Sequence, residues 1–371
     1  MDHEGELRLR IAVLPGDGIG PEIVPEAVNV ARAALSCDSS IRIEFEEQPA
    51  GWSSYLEHGH TLPDGTLDAL GTYDGLILGP IGHARYPSRP ECVNPHPIIR
   101  KNLDLFANMR PVRSYTSLPL LHQNVDVLVV RENNEGFQPD RNMLAGSGEF
   151  QATDDQAFSL RVITRRQSER IAHVAFRAAQ VRNGLKHVTA IHKRSVFKLT
   201  DGLFMDTVAR VAENYPDVAL DDHQVDTAAM HLVMHPQNFD VVLCTNMFGD
   251  ILSDLTAGLV GGLGMAPGLS AGDERAMAQA THGSAPDIAG KGVANPYAMI
   301  ASVRMLLEWL SGKHYEPRLR CVVRRIDAAL ELMISVGKYL TPDLGGTAST
   351  HEMGEAVAEA AATVDINEEK G

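Results

Sequence analysis

Several short stretches of the chain combine residue types that could do chemistry. Arg100 and Arg110 share PIIRKNLDLFANMRP, and Arg131 stands in VVRENNEG. Arg131 directly follows an apolar run at 125–130, where a guanidinium needs an anion to pair with. Arg100 and Arg110 are ten apart, close to three helical turns, and Pro111 ends any helix there. Three such groups can clamp a di- or tricarboxylate bidentately. Taken singly, Arg100 or Arg110 serves equally well in a surface ion pair. In TNMFGDILSDL, Asp250 and Asp254 stand at i and i+4 of a predicted helix whose apolar side is Ile251, Leu252 and Leu255. Like charges one turn apart repel, and a divalent cation relieves that; oxygen ligands favour Mg²⁺ or Mn²⁺ over zinc. Asp226, in HQVDTAAMHLV, is a candidate third ligand. A solvated acidic face accounts for the same spacing.

Lys193, in VTAIHKRSVFK, follows a β run, where lost hydration can make a lysine a base, although a strand-end lysine can also simply reach solvent. LPGDGIGPE, residues 14–22, follows a strand and permits a tight turn with close backbone approach. Its spacing is GxGxG and not GxGxxG, so it reads as a strand-to-helix turn as readily as a dinucleotide fingerprint. HGSAPDIAGKGVANP, residues 282–296, is a long irregular segment of the kind that forms binding loops, or else a solvated surface loop. Its Asp287 suits ribose hydroxyls and repels a 2′-phosphate, which points to NAD over NADP.

The elements that must position these residues follow from hydrophobic patterning. Apolar runs at 11–14, 75–78, 125–130, 188–191 and 241–244 end in Gly- or Asn-rich turns, with helical patterns between them at 169–182 and 207–214. Strands buried on both faces and alternating with helices predict an α/β fold with a largely parallel sheet, whose ligands gather at the strands' carboxyl ends. The loop-like 115–124 and the glycine-rich 258–271 are candidate crossings between lobes, and VDINEEKG is expected to fray.

The 371 residues are long enough for two or three domains, or two lobes of one enzyme. Charged residues are 22% of the chain, which argues against disorder, and the net charge of −15 disfavours nucleic acid and anionic lipid as partners. An anionic substrate therefore needs a local cluster of Arg and Lys. Cys37, Cys92, Cys244 and Cys321 show no CxxC spacing, so a reducing cytoplasm is expected. MDHEGELRLR is polar and not a secretory signal, and no apolar run has the ~20 residues of a membrane span.

Taken in order, LPGDGIGPE, RKNLDLFANMRP, HKRSVFKLTDGLF, NMFGDILSDLTAG, HGSAPDIAGKGVANP and DLGGTAST resemble the β-decarboxylating dehydrogenase family. That family includes isocitrate, 3-isopropylmalate, homoisocitrate and tartrate/D-malate dehydrogenases. The resemblance implies a two-lobed isocitrate/isopropylmalate dehydrogenase-like α/β fold that is not a true Rossmann fold. Residues 1–105 with 260–371 would form a discontinuous cofactor-binding lobe, and 106–259 the dimerising lobe. It further implies a homodimer with shared active sites. Arg100, Arg110 and Arg131 would hold the malate part of the substrate, and Asp250 and Asp254, with Asp226 of the other subunit, would hold Mg²⁺ or Mn²⁺. Lys193 of the other subunit would take the hydroxyl proton. His282, Gly283, Ser284, Ala285, Asp287, Ile288 and Asn295 would hold the NAD cofactor.

The chain departs from the family pattern at two positions. Gln138 stands two residues after Gly136, where relatives usually carry a tyrosine that protonates the enolate; an amide gives up no proton near neutral pH. Slow enol protonation with intact oxidation is therefore expected. A weak regulatory subunit, or oxidation of malate or tartrate without efficient decarboxylation, are the alternatives. Gln279 stands where relatives commonly have an acid. In this family the first turn of the Arg100 helix reads the C3 side group. Here that turn is CVNPHPIIR, with Asn94 as expected N-cap and Pro95 at the first helical position. Asn94 and His96 suit a polar C3 group or none, though Pro95 and Pro97 remove two backbone donors.

Overall fold

The computed structural model describes residues 6–364 apart from 37, 138–142, 144, 145 and 183, and the statements below concern those residues. In chain order the strands are β1 (Leu7–Leu14), β2 (Ile41–Glu47), β3 (Gly75–Leu78), β4 (Ala107–Arg113), β5 (Asp126–Glu132) and β6 (Glu149–Thr153). They continue as β7 (Gln156–Ser159), β8 (His187–His192), β9 (Ala219–Gln224), β10 (Val241–Cys244), β11 (Leu269–Ala271) and β12 (Ala276–Ala278). The helices are α1 (Gly20–Leu35), α2 (Trp52–His58), α3 (Thr66–Leu70), α4 (Pro95–Asn102), α5 (Arg165–Val181) and α6 (Thr200–Ala212). After them come α7 (Val225–Met234), α8 (Asn246–Leu259), α9 (Tyr297–Lys313), α10 (Arg318–Val336) and α11 (Thr350–Thr363).

Ten strands form one sheet in the order β2-β1-β3-β12-β11-β4-β5-β10-β8-β9. The two wings are parallel, and the centre is antiparallel where β11 meets β12 and β4, and β4 meets β5. The fold is thus α/β and mostly parallel, and its antiparallel centre sets it apart from a doubly wound dinucleotide fold. β3 and β10, buried along their whole length, read as unbroken apolar runs for the reason expected of strands covered on both faces. α1 packs against α9, α10 and α11, and α5 and α6 cover β5, β8 and β10.

Four expectations change. Arg110 does not continue the Arg100 helix: α4 ends at Asn102, the backbone turns through Asp104 at φ +48°, and Arg110 lies in β4. Pro111 is tolerated inside that strand because β11 pairs only with residues 107–109, so no neighbour on that side needs its missing N–H. Arg131 likewise does not follow β5 but lies within it, since the strand runs on to Glu132. The helix over 207–214 begins earlier, at Thr200. The residues 115–124 do form a connection, between β4 and β5, whereas 258–271 also contributes β11. Cys92, Cys244 and Cys321 are free thiols, and among the described residues no helix is long and apolar enough to cross a membrane.

The glycine-rich turn after β1 locks two distant segments together. Asp17 accepts from the backbone N–H of Trp52 at 2.6 Å and of Gly82 at 2.7 Å, and from the Tyr86 hydroxyl at 2.5 Å. Next to it Ile19 N–H donates to Ser284 O at 3.0 Å, which fastens the turn to the 282–296 loop. Gly18 has φ +59°, and a Cβ there would stand 1.9 Å from Ser284 O. Gly18→Ala is therefore expected to cost ~2 kcal/mol or more. Thermal unfolding should show a midpoint lowered by several degrees; an unchanged midpoint would show that the two segments move apart freely.

Candidate functional site

Three elements aim arginines at one place. α4 starts as expected: Asn94 caps it, its side-chain oxygen accepting from His96 N–H at 3.2 Å, with Pro95 at the first position. Arg100 then falls in the last turn and is buried. Arg110 projects from β4 toward α8, where Nη1 donates to Ser253 Oγ at 2.7 Å and to Asp250 Oδ1 at 3.1 Å, while Nε donates to Asn108 at 2.5 Å. Arg131, from β5, grips Asn246 Oδ1 through Nε (3.1 Å) and Nη2 (2.7 Å), and its Nη1 pairs with Asp250. Gly249 makes the approach of α8 to β5 possible, since a Cβ there would lie 2.7 Å from Arg131 Cβ.

Asn94, His96, Arg100, Arg110, Arg131, Asp250, Gln279, His282 and Gly283 all line one cavity of about 760 Å³. Asn246, Asn108 and Ser253 hold the arginines and were not anticipated. Asn246 and Ser253 share the Asp250 face of α8 at helical spacing, and that spacing is the signal that could have found them. One expectation for α8 fails: Leu252 is buried, but Ile251 is exposed and not part of an apolar side facing this chain's core.

The two α8 carboxylates are half exposed and titrate in opposite senses. Partial burial works to raise the Asp250 pKa, but Arg131, Arg110 and Arg100 outweigh it and hold the carboxyl below its ordinary range. Asp254 lies 3.7 Å from Arg110; there burial, joined by the Asp250 charge, outweighs the two arginines and raises the pKa. A divalent cation would relieve that repulsion, and two oxygen donors one turn apart fit a hard ion. Among the described residues no three His, Cys, Asp or Glu side chains of this one chain gather to hold a metal.

Lys193 and Asp226 sit elsewhere. Lys193 follows β8, its backbone N–H donates to buried Asp201 at 2.6 Å, and its Nζ pairs with Asp226 Oδ1 at 2.6 Å at the start of α7. That bond lowers the Asp226 pKa. Arg161 adds to this turn by pairing with Asp201 at 2.5 Å while stacked on Phe137, Phe197 and Phe248. Neither Lys193 nor Asp226 lines the cavity.

The 282–296 loop is irregular, with Ala285 at φ +38° and its Gly290 and Gly292 N–H groups donating to Glu22. His282 and Gly283 reach the cavity, and burial lowers the His282 pKa. Ser284, Ala285 and Ile288 are half-buried, and Asp287 is exposed. Asn295 is buried and donates to Asp343 at 3.0 Å, so it braces the loop from within. Gln138 lies outside the described residues.

The profile of the family described as isocitrate/isopropylmalate dehydrogenase matches residues 10–357. The chain is 41% identical over 355 residues to the isocitrate/homoisocitrate dehydrogenase of Thermus thermophilus, covering 95% of this chain and 98% of that one. It is 39% identical to the 3-isopropylmalate dehydrogenase of Methanothermobacter thermautotrophicus, over 94% of this chain and 98% of that one. Among solved structures, the isocitrate dehydrogenase from Methylococcus capsulatus superposes with a TM-score of 0.83 at 38% identity, covering 96% of this chain and all of the other.

Behind Arg131, the Glu132 carboxyl is fully buried and accepts the N–H groups of Asn134 and Glu135 at 2.8 and 2.9 Å. Burial, aided by Glu135, pushes its pKa up to about 8 against the pull of those two bonds and of Arg131. The folded value lies above the ordinary one of 4.5, so folding takes up a proton at this site. The resulting stability is complete below the ordinary value and is lost as pH climbs to about 8. Urea unfolding between about pH 5 and 8.5 should show stability falling with pH in the parent and less steeply in Glu132→Gln. Equal slopes would show that Glu132 is ionised in the folded protein.

Proposed function

The chain belongs to the isocitrate/isopropylmalate dehydrogenase family, whose members are dehydrogenases of hydroxy acids, and from that premise we propose an NAD- and Mg²⁺- or Mn²⁺-dependent oxidative decarboxylation of a 3-substituted malate with a polar C3 group or none. The observation that carries this reading is the convergence of Arg100, Arg110 and Arg131 on one cavity beside the Asp250 carboxylate, in a chain of net charge −15. The guanidiniums hold the two malate carboxylates and fix C2 in place. Asp250 and Asp254 of one chain and Asp226 of another supply the oxygen ligands of the metal. When bound, the metal would supply Lewis-acid chemistry and NAD would supply a hydride acceptor. Lys193, oriented by its bond to Asp226 and by Asp201 behind it, takes the hydroxyl proton. The exposed Asp287 meets the adenosine ribose, which favours NAD over NADP.

Three features support sharing of the site between two copies of the chain. Lys193 and Asp226 stand away from the cavity they are needed in. Large apolar side chains are also exposed on the helices concerned: Met230, Val233 and Met234 on α7, and Met247 and Ile251 on α8. The hairpin of β6 and β7, exposed along both strands with Phe150 stacked on Phe158, is likewise short of a cover that two strands need in water. A division into a lobe of 1–105 with 260–371 and a lobe of 106–259 belongs to the same reading. It is supported by the packing of α1 against α9, α10 and α11, which joins the two ends of the chain.

Purified protein with Mn²⁺ and NAD is expected to form NADH and CO₂ from at least one of isocitrate, homoisocitrate, 3-isopropylmalate, D-malate and tartrate. Lys193→Met and Asp250→Asn should each lower kcat at least ~10²-fold. Mixed after reversible dissociation, the two inactive variants should recover roughly a quarter of parental activity, because half the dimers then carry one intact site. No recovery would show that each site is built from a single chain.

A further inference from the structure

One corner of the cavity contains an arrangement that the reading above leaves unused. Gln279, buried just beyond β12, presents its side-chain oxygen to two residues of α4 at once. Oε1 accepts from Arg100 Nη2 at 3.0 Å and meets His96 Nε2. A guanidinium only donates, so the amide atom facing it is the oxygen, and His96 Nε2 must then carry the hydrogen shared with it. Gln279 therefore orients both groups through one neutral acceptor. Whatever the charge on His96, an amide here leaves the corner one unit more positive than a carboxylate would. Asp250 is the one acidic residue among the described residues lining the cavity, and it pairs with Arg110 and Arg131. Val93, Pro97 and Ile98 line the same end and offer apolar walls for a short carbon chain.

The geometry points to Gln279 as a specificity-determining residue. It holds His96 and Arg100 at the C3 end of the substrate through an acceptor that adds no negative charge of its own, so that the site prefers a malate whose C3 substituent ends in a carboxylate over one carrying an alkyl group. This rests on the proposed function and narrows its polar C3 group to an anionic one.

The test compares isocitrate, homoisocitrate and 3-isopropylmalate on the parent, on Gln279→Glu and on His96→Leu. Binding is followed by calorimetry with Mn²⁺ and kcat/KM with NAD, after circular dichroism has shown each variant folded. The parent should favour one of the tricarboxylates over 3-isopropylmalate by at least ~10-fold, and Gln279→Glu should reduce that ratio by at least ~10-fold. His96→Leu should reduce it in the same direction, which keeps the inference open to test if Gln279→Glu does not fold. Variants that weaken all three compounds by one factor would overturn the assignment alone, whereas a parent that prefers the alkyl substrate would overturn it together with the polar C3 group of the proposed function, leaving only the oxidative decarboxylation standing. A parent that neither binds nor oxidises any of the three would overturn the assignment, and one inactive on D-malate and tartrate as well would bring down both.

Discussion

Keeping guanidinium groups charged and dry at the end of a sheet is the constraint around which this protein is organised. Arg131 and Arg110 have almost no contact with solvent, and each is held by a neutral side chain from one direction and by the Asp250 carboxylate from another. Removing a buried cation's partners is costly, so Asn108, Asn246, Ser253 and Asp250 are as necessary as the arginines themselves. α8 is the element that meets this need. Its Asp250 face supplies Asn246, Asp250 and Ser253, and Gly249 lets the helix backbone press against Arg131.

The same constraint shapes the middle of the sheet. β4 and β5 are antiparallel neighbours, with Arg110 opposite Val129 and Arg131 opposite Asn108. That register sets the two arginines near one another although they are separated by a long connection. Arg100 joins them by a different route, from the end of a capped helix that leads into β4. The cationic cluster is thus assembled from a helix end and two strands, in a chain whose overall charge is strongly negative. Anion capture depends on this local field, since the net charge works against it.

The lysine turn is a second, smaller centre built by similar means. A buried ion pair, Arg161 with Asp201, sits among three phenyl rings and lends one carboxylate oxygen to the Lys193 backbone. A flexible amine is thereby carried on a backbone that cannot easily shift. The pairing of Nζ with Asp226 orders the side chain as well, though both groups remain accessible.

Residue type and local spacing were enough to indicate the α/β class, the cap at Asn94, the strand runs, the Asp250–Asp254 pair and the three arginines. Each of these is written within a few neighbouring residues: a period of two or 3.6, a cap before proline, a charge after an apolar run. Local pattern misled where long-range pairing decides the outcome. Arg110 lies on a strand because β5 offers it a partner at Val129, and Ile251 is exposed because α8 turns Leu252 inward instead. Asn246 and Ser253 carried a sign only in their helical spacing from Asp250, and Asn108 carried none, since a neutral polar side chain looks the same in a loop, on a surface or against a buried guanidinium. Sequence by itself determined which charges the chain would carry and, Arg110 apart, on what kind of element. Only the tertiary structure decided which of them share a cavity and which neutral groups hold them there, because those contacts, the one between Asn108 and Arg110 apart, join residues more than a hundred positions apart, beyond the reach of any short-range periodicity.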